Sequence, residues 1–415
     1  MNYVKPRKAI NVILISFDTL RQDFLSCYGY PKPLSPNLDQ LADEGVIFTD
    51  EVVNCGWTLP QHITMITGTH PLKHRVIYLK KRCSLPKSIK TLAELFKSQG
   101  YVTFGFATNT NPFGGGNWEY GFYRGMHHYT TIFPGNNMME HLPQAFSWAV
   151  KMANSKPFFM YIHINDTHEP FAASEPFGSK WGSGYVNRYE DEVCYVDHYF
   201  GMILKEIAKR GLEDHTLIVT TSDHGTEFEE HGFQEKKLNL YEEISRVPLI
   251  FSLPSLLSQG KKIEGLCETI DLAPTILDVC DLSIPDWMDG KSLRNRIFGE
   301  GEPSKYVIAH TLHEMTYNYE HFSIRDEQYK FIRTRPLVRQ PMELSGEAGK
   351  RFERLNSVAE FKDGYWRELY DLKKDTSEKK NIINSASSIA NRLEGKLDEF
   401  IFSFGFTKTH QEEVR

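Results

Sequence analysis

The chain of 415 residues lacks any CxxC pair. Its six cysteines (27, 55, 83, 194, 267 and 280) stand singly, which argues against both a zinc ribbon and a disulfide framework. Long apolar runs are missing too. The longest, Asn11–Phe17 and Pro157–Ile164, fall well short of the ~18 residues a membrane span needs. No charge of one sign dominates: 48 Lys and Arg face 54 Asp and Glu, a net charge of −6 spread along the chain, and no basic groove for nucleic acid results. The N-terminal stretch MNYVKPRKAINVILISFD has basic residues but no separate apolar segment ending at a small-residue cleavage site, so no secretory signal is expected. Internal repeats and low-complexity linkers are absent, and no pattern fixes an oligomeric state. What is present, 40 % hydrophobic and 25 % charged residues, is the balance of a globular protein. The expectation is a soluble, cytoplasmic chain with no nucleic-acid partner and no membrane insertion.

Short apolar runs have the length of buried parallel strands: Val12–Phe17, Val102–Ala107, Phe158–Ile164, Leu217–Thr221 and Pro248–Leu253. Helix-length segments lie between them. Ser35-Pro36 opens one that Gly45 ends, Ser88 can cap Ile89–Gln99, residues 190–210 form a longer amphipathic one, and Asp271–Val279 another. Alternating strands and helices imply an α/β fold, a large, mostly parallel sheet sandwiched by helices. After about residue 300 the texture changes to close-set strand-like pieces, Tyr306–His310, His321–Ile324 and Tyr329–Arg333, then Trp366–Tyr370 and a terminal helix near 387–402. This predicts a large α/β domain over 1–300 and a small antiparallel α+β subdomain over 301–415 packed on it.

Three of the apolar runs end in polar clusters. Ile13–Phe17 runs into Asp18, Phe158–Ile164 into Asn165-Asp166-Thr167-His168, and Leu217–Thr221 into Ser222-Asp223-His224-Gly225. Ligands of open parallel sheets bind outside the carboxyl ends of the strands, so the three endings converge on one crevice. Asp18, Asp223 and His224 suit one divalent cation; on spacing alone they serve equally well as a helix cap and a turn. In Trp57-Thr58-Leu59-Pro60-Gln61-His62 a hydroxyl sits two residues before a proline that can begin a helix. Taken alone, Thr58 is an ordinary N-cap. Beside a bound cation it is an activated nucleophile.

With these residues the chain resembles the sulfatase family of the alkaline phosphatase superfamily over nearly its whole length. The matching segments are Asn11–Gly29, Ser35–Phe48, Trp57–Pro71, Tyr161–Pro170, Thr221–Ile250, Ile270–Leu293 and Glu368–Ile382. The resemblance implies that Asp18, Asp223 and His224 hold the metal and that Thr58 takes the nucleophile position. There typical members carry a cysteine or serine converted to formylglycine in a C/S-x-P-x-R motif. His168 matches a family histidine at the ester oxygens, and Lys236, five residues after His231 and beside Lys237, a family lysine on the anionic group. His62, Asn109 and His231 are the further substrate-binding candidates. The departures are specific. His62 replaces the motif arginine, Thr19 the usual second aspartate, and Ala107-Thr108-Asn109 the usual Lys-x-His, with Asn109 a candidate neutral donor. Cys55 is a buried structural cysteine, because Trp57 stands where the formylglycine motif requires proline; His163 is expected to pack at its strand end.

Threonine cannot release a group by collapsing to an aldehyde, so its covalent adduct must be broken by water attacking sulfur or phosphorus. The expected function is therefore a metal-dependent hydrolase of small anionic esters, sulfate or phosphate, phosphodiester or phosphonate, with a modest lean to phosphoester chemistry. One divalent ion, Ca, Mg, Mn or Zn, is expected, the histidine tilting the choice towards Mn or Zn. The competing reading is an inactive sulfatase-like protein that binds an anionic glycan or lipid headgroup; the missing formylglycine motif favours it and the retained Asp18, Thr58, Asp223 and His224 oppose it.

Overall fold

The computed structural model describes residues 9–77, 83–108, 112–113, 120–131, 138–235, 239–313, 319–337 and 346–406. Ten strands precede residue 270: β1 (Asn11–Phe17), β2 (Val46–Val52), β3 (Val102–Ala107), β4 (His128–Thr131), β5 (Phe158–Ile164), β6 (Thr216–Ser222), the two-residue β7 (Glu227–Phe228) and β8 (Gln234–Glu235), β9 (Arg246–Ser252) and β10 (Lys261–Glu268). Apart from the small β7–β8 ribbon they form one sheet in the order β10-β2-β9-β6-β1-β5-β3-β4. Every neighbouring pair is parallel except those made by β9. The run Pro248–Leu253 was expected to be parallel. It belongs to an antiparallel strand, because an apolar run buried on both faces reads the same in either direction.

Burial on both faces follows the two-residue period of a strand. Along β1, Val12 and Leu14 join one core with Leu59 and Ile63 of the helix Thr58–Thr67 and Leu272 and Ile276 of the helix Leu272–Val279. Ile13, Ile15 and Phe17 join the opposite core with Leu38 of the helix Pro36–Asp43, Phe146 of Leu142–Ala153 and Val196 of Tyr185–Lys209. The Tyr185–Lys209 helix begins earlier than its periodicity suggested. The helix expected from Ile89 begins at Leu92 instead, since the Thr91 side chain bonds the Glu94 N–H while Glu94 bonds back to Thr91, a reciprocal cap that Ser88 does not have.

A second sheet contains β11 (Val307–His313), β12 (Tyr319–Arg325), β13 (Tyr329–Pro336), β14 (Glu360–Lys362) and β15 (Tyr365–Asp371), all antiparallel, in the order β11-β12-β13-β15-β14. The helix Ser387–Ser403 covers it with Ala390, Leu393, Leu397 and Ile401, spaced as one helical face. Between β13 and β15 lie β14 and the helix Gly346–Val358. The second sheet is bolted to the first: Gly56 N–H donates to Thr311 Oγ1 at 2.8 Å, Tyr241 O–H to Glu368 at 2.6 Å, and buried Lys330 reaches Glu242 and Glu378. Among the described residues no helix is long and apolar enough to cross a membrane.

Candidate active site

Strands β5, β1 and β6 are adjacent and parallel, with Phe17 level with both Ile164 and Ser222. Their carboxyl ends therefore deliver the following residues to one spot. The Asp18 N–H donates to Ile164 O at 2.7 Å and the Asp223 N–H to Phe17 O at 3.2 Å, which continues the ladder one step past the strands. Side-chain atoms of Asp18, Asp223 and His224 lie within 4.8 Å of one another, all three buried. His224 Nε2 is 3.7 Å from Asp18 Oδ1 and 3.4 Å from Asp223 Oδ2. Its other nitrogen, Nδ1, stands 2.8 Å from Gly225 O; a carbonyl only accepts, so the ring proton sits on Nδ1 and the Nε2 lone pair is turned to the carboxylates. Two carboxylates and an imidazole lone pair, fixed by backbone bonds behind them, form a donor set that fits a divalent cation.

Thr58 is the first residue of its helix and only 6 % exposed. Its Oγ1 lies 3.3 Å from His224 Nε2. The hydroxyl is thus placed against the donor cluster at the positive end of a helix, where an anion is favoured. Gly225, just after His224, is packed so closely that a Cβ there would stand 1.9 Å from Glu243 O. Thr19, at the place of the second aspartate, has φ +59°. Its N–H donates to Asp223 Oδ1 at 3.2 Å and its hydroxyl to Thr167 O at 2.5 Å.

His62 lies one helical turn after Thr58 and is wholly buried, which leaves no ring face for a substrate. Nδ1 is hydrogen-bonded to the Tyr161 hydroxyl and Nε2 stands 3.3 Å from Asp223 Oδ2. His163, also buried, packs as expected, its ring stacked on Phe113 with centroids 4.4 Å apart, but its Nε2 also lies 3.7 Å from Asp18 Oδ2. Cys55 is buried beside Thr311. Sequence reasoning missed Tyr161, although Tyr161 and His163 are polar residues two apart on an apolar strand and so share one face.

His168 is half-buried, with Nδ1 2.8 Å from Glu169 O. Nearby, burial pushes the Asp166 carboxyl up to about 6, opposed by a bond from the Thr108 hydroxyl. His231 is buried among partners of its own. Its ring stacks on Tyr241 at 3.8 Å, Nδ1 accepts from Arg354 at 3.1 Å, and Nε2 is 3.5 Å from Glu243. Burial lowers its pKa, against the pull of Glu243. Asn109, Lys236 and Lys237 lie outside the described residues.

Fold and site together define a hydrolase-like α/β protein whose donor cluster sits at the carboxyl ends of parallel strands. The sulfatase family model matches residues 10–282, and the model of the N-sulphoglucosamine sulphohydrolase C-terminal region matches 229–344. The chain belongs to the sulfatase family, a family of sulfuric ester hydrolases, and the expectation of an enzyme of that type stands with it. A Delta 4,5-hexuronate-2-O-sulfatase of Bacteroides thetaiotaomicron is 23 % identical, the match covering 94 % of this chain and 88 % of that protein. A structure in complex with its substrate D-glucosamine-2-N,6-O-disulfate superposes with a TM-score of 0.75 at 18 % identity, over 96 % of this chain and 98 % of that one. A phosphonate monoester hydrolase of Agrobacterium radiobacter does so with a TM-score of 0.74 at 20 % identity, over 95 % of each.

Proposed function

We propose that this sulfatase-family chain hydrolyses small anionic esters by in-line attack of Thr58, with Asp18, Asp223 and His224 holding one divalent cation. The observation that carries the reading is the Thr58 hydroxyl 3.3 Å from the histidine nitrogen that faces both aspartates. When bound there, the cation supplies charge stabilisation for the transferred group and lowers the pKa of the neighbouring hydroxyl. Thr58 Oγ1 forms a bond to sulfur or phosphorus as the ester oxygen leaves. His168 donates the proton that the departing alkoxide needs; water then attacks sulfur or phosphorus, gives its proton to His168, and the bond to Thr58 Oγ1 breaks. Lys236, Asn109 and His231 keep their proposed places on the anionic group.

One imidazole, two carboxylates and a hydroxyl suit Zn or Mn better than Ca, which takes six to eight oxygens. The threonine inclines the chemistry to phosphate or phosphonate esters, while the sulfated sugar of one structural neighbour and the family itself support sulfate esters. We place the enzyme in the cytoplasm, a setting that suits six cysteines with no disulfide among the described residues. The test is turnover of aryl sulfate, aryl phosphate, phosphodiester and phenylphosphonate, before and after chelation and with each metal restored. Chelator-sensitive turnover of any of them is expected. No turnover with any metal would overturn the reading in favour of an anion-binding protein.

A further inference from the structure

Why a wholly buried histidine stands behind a metal-ligand carboxylate is not explained by substrate binding. The protons around His62 can be placed. Asp223 Oδ1 already accepts from the N–H groups of Thr19 at 3.2 Å and His224 at 2.8 Å, the bonding of an ionised carboxylate. His224 must keep its proton on Nδ1, against a carbonyl, but His62 Nδ1 meets a hydroxyl that can donate, so its Nε2 is free to present an N–H to Oδ2 at 3.3 Å and attract it. Nε2 therefore carries the proton, Nδ1 is an acceptor, and the Tyr161 hydroxyl hydrogen-bonded to Nδ1 is its donor. The ring has no room to turn: Phe113 meets it edge-on at 4.9 Å and His163 at 4.4 Å, centroid to centroid. Oδ2 is also the oxygen 3.4 Å from His224 Nε2, so the atom that His62 addresses is the one on the side of the other donors.

We propose that Tyr161 and His62 form a positioning pair that holds Asp223 Oδ2 towards the cation. Tyr161 fixes the tautomer of His62, and the His62 Nε2–H fixes the carboxylate with Oδ2 turned to the metal. Partners of this kind behind a ligand change metal affinity by about 10- to 100-fold. The inference rests on the metal reading of the site.

The experiment titrates Zn2+ and Mn2+ into metal-stripped protein against a chelating dye, with the Tm of the metal-free protein as a measure of packing. His62→Phe keeps a ring without the N–H, His62→Gln restores an amide N–H, and Tyr161→Phe removes only the hydroxyl. Expected is a loss of affinity of about 10- to 100-fold in His62→Phe, a smaller loss in Tyr161→Phe, and partial recovery in His62→Gln. Should His62→Phe fail to fold, Tyr161→Phe still decides. Wild-type affinity in Tyr161→Phe, or His62→Gln as weak as His62→Phe, overturns the pair while leaving the metal site intact. A wild type that binds neither ion overturns the metal reading, and the pair with it.

Discussion

Thr58→Ser and Thr58→Ala separate the hydroxyl from the packing of the same side chain. Serine deletes one buried methyl, worth about 1 kcal/mol. Alanine also deletes the oxygen 3.3 Å from His224 Nε2, a further loss of about 1 kcal/mol for a neutral hydrogen bond. Both totals are small against the ~5–15 kcal/mol that holds a domain folded, so each variant is expected to melt within a few degrees of wild type. Turnover is expected to part company with stability. Thr58→Ser keeps the nucleophile and should fall by no more than about tenfold, whereas Thr58→Ala should lose at least about 10³-fold, as removal of an attacking oxygen does. Metal affinity should change little, because Asp18, Asp223 and His224 remain. The assay is steady-state turnover of the best ester, with intact-mass spectrometry of quenched reactions to find the covalent adduct. Thr58→Ala with turnover within tenfold of wild type would remove Thr58 from the mechanism.

Gly225→Ala would drive a Cβ to 1.9 Å from the Glu243 carbonyl. The obstacle is backbone, with the Arg21 side chain 3.2 Å away as well, so we expect more than about 3 kcal/mol of destabilisation and weakened metal binding as His224 shifts; equal urea midpoints and metal affinity would refute this. Glu378 is buried against Lys330 and Glu242, and burial above all pushes its carboxyl up to about 8. A raised carboxyl gives stability that is fully present below its unfolded value near 4.5 and is lost as pH rises through the folded one. Wild type should therefore lose stability between about pH 5 and 8, by up to about 1.4 kcal/mol per pH unit, and Glu378→Gln should flatten that slope. Parallel urea-midpoint curves would refute it.

How much of this was legible depends on what each residue faces. Asp18, Asp223 and His224 could be read because each follows an apolar run, and β1 and β6 prove to be neighbours. Strands β2 and β10 went unread because polar Thr49, Asp50, Lys261, Lys262 and Glu264 interrupt the apolar pattern near the sheet edge. The start of the helix at Leu92 was legible in principle, since Thr91-x-x-Glu94 is the reciprocal cap in sequence form. His62 was assigned to the substrate because it stands at the place of the motif arginine. Its burial depends on Tyr161 and Phe113, which are far away in the chain and near only after the sheet has formed.

Two departures from the family pattern answer one another in charge. At position 19 a carboxylate is missing, and the threonine serves as a strut: φ +59° turns it so that its N–H reaches Asp223 and its hydroxyl reaches Thr167 O. At position 62 a guanidinium is missing, replaced by a ring that is neutral when Nδ1 accepts from Tyr161. One negative and one positive charge have gone at these two positions, and the lysine of the usual Lys-x-His has gone as well. The two aspartates that remain are buried and carry the charge that a divalent cation would balance. Restoring either charge alone would leave a buried charge without its counterpart, a penalty of several kcal/mol. Thr19→Asp tolerates the backbone, since aspartate adopts positive φ more readily than a β-branched residue, and His62→Arg restores the cation. Each single variant is expected to lower the Tm of the metal-loaded protein, and the double variant to recover part of both losses, a coupling that adjacent charges produce and independent packing defects do not. Strictly additive losses would show that the two positions changed for unrelated reasons.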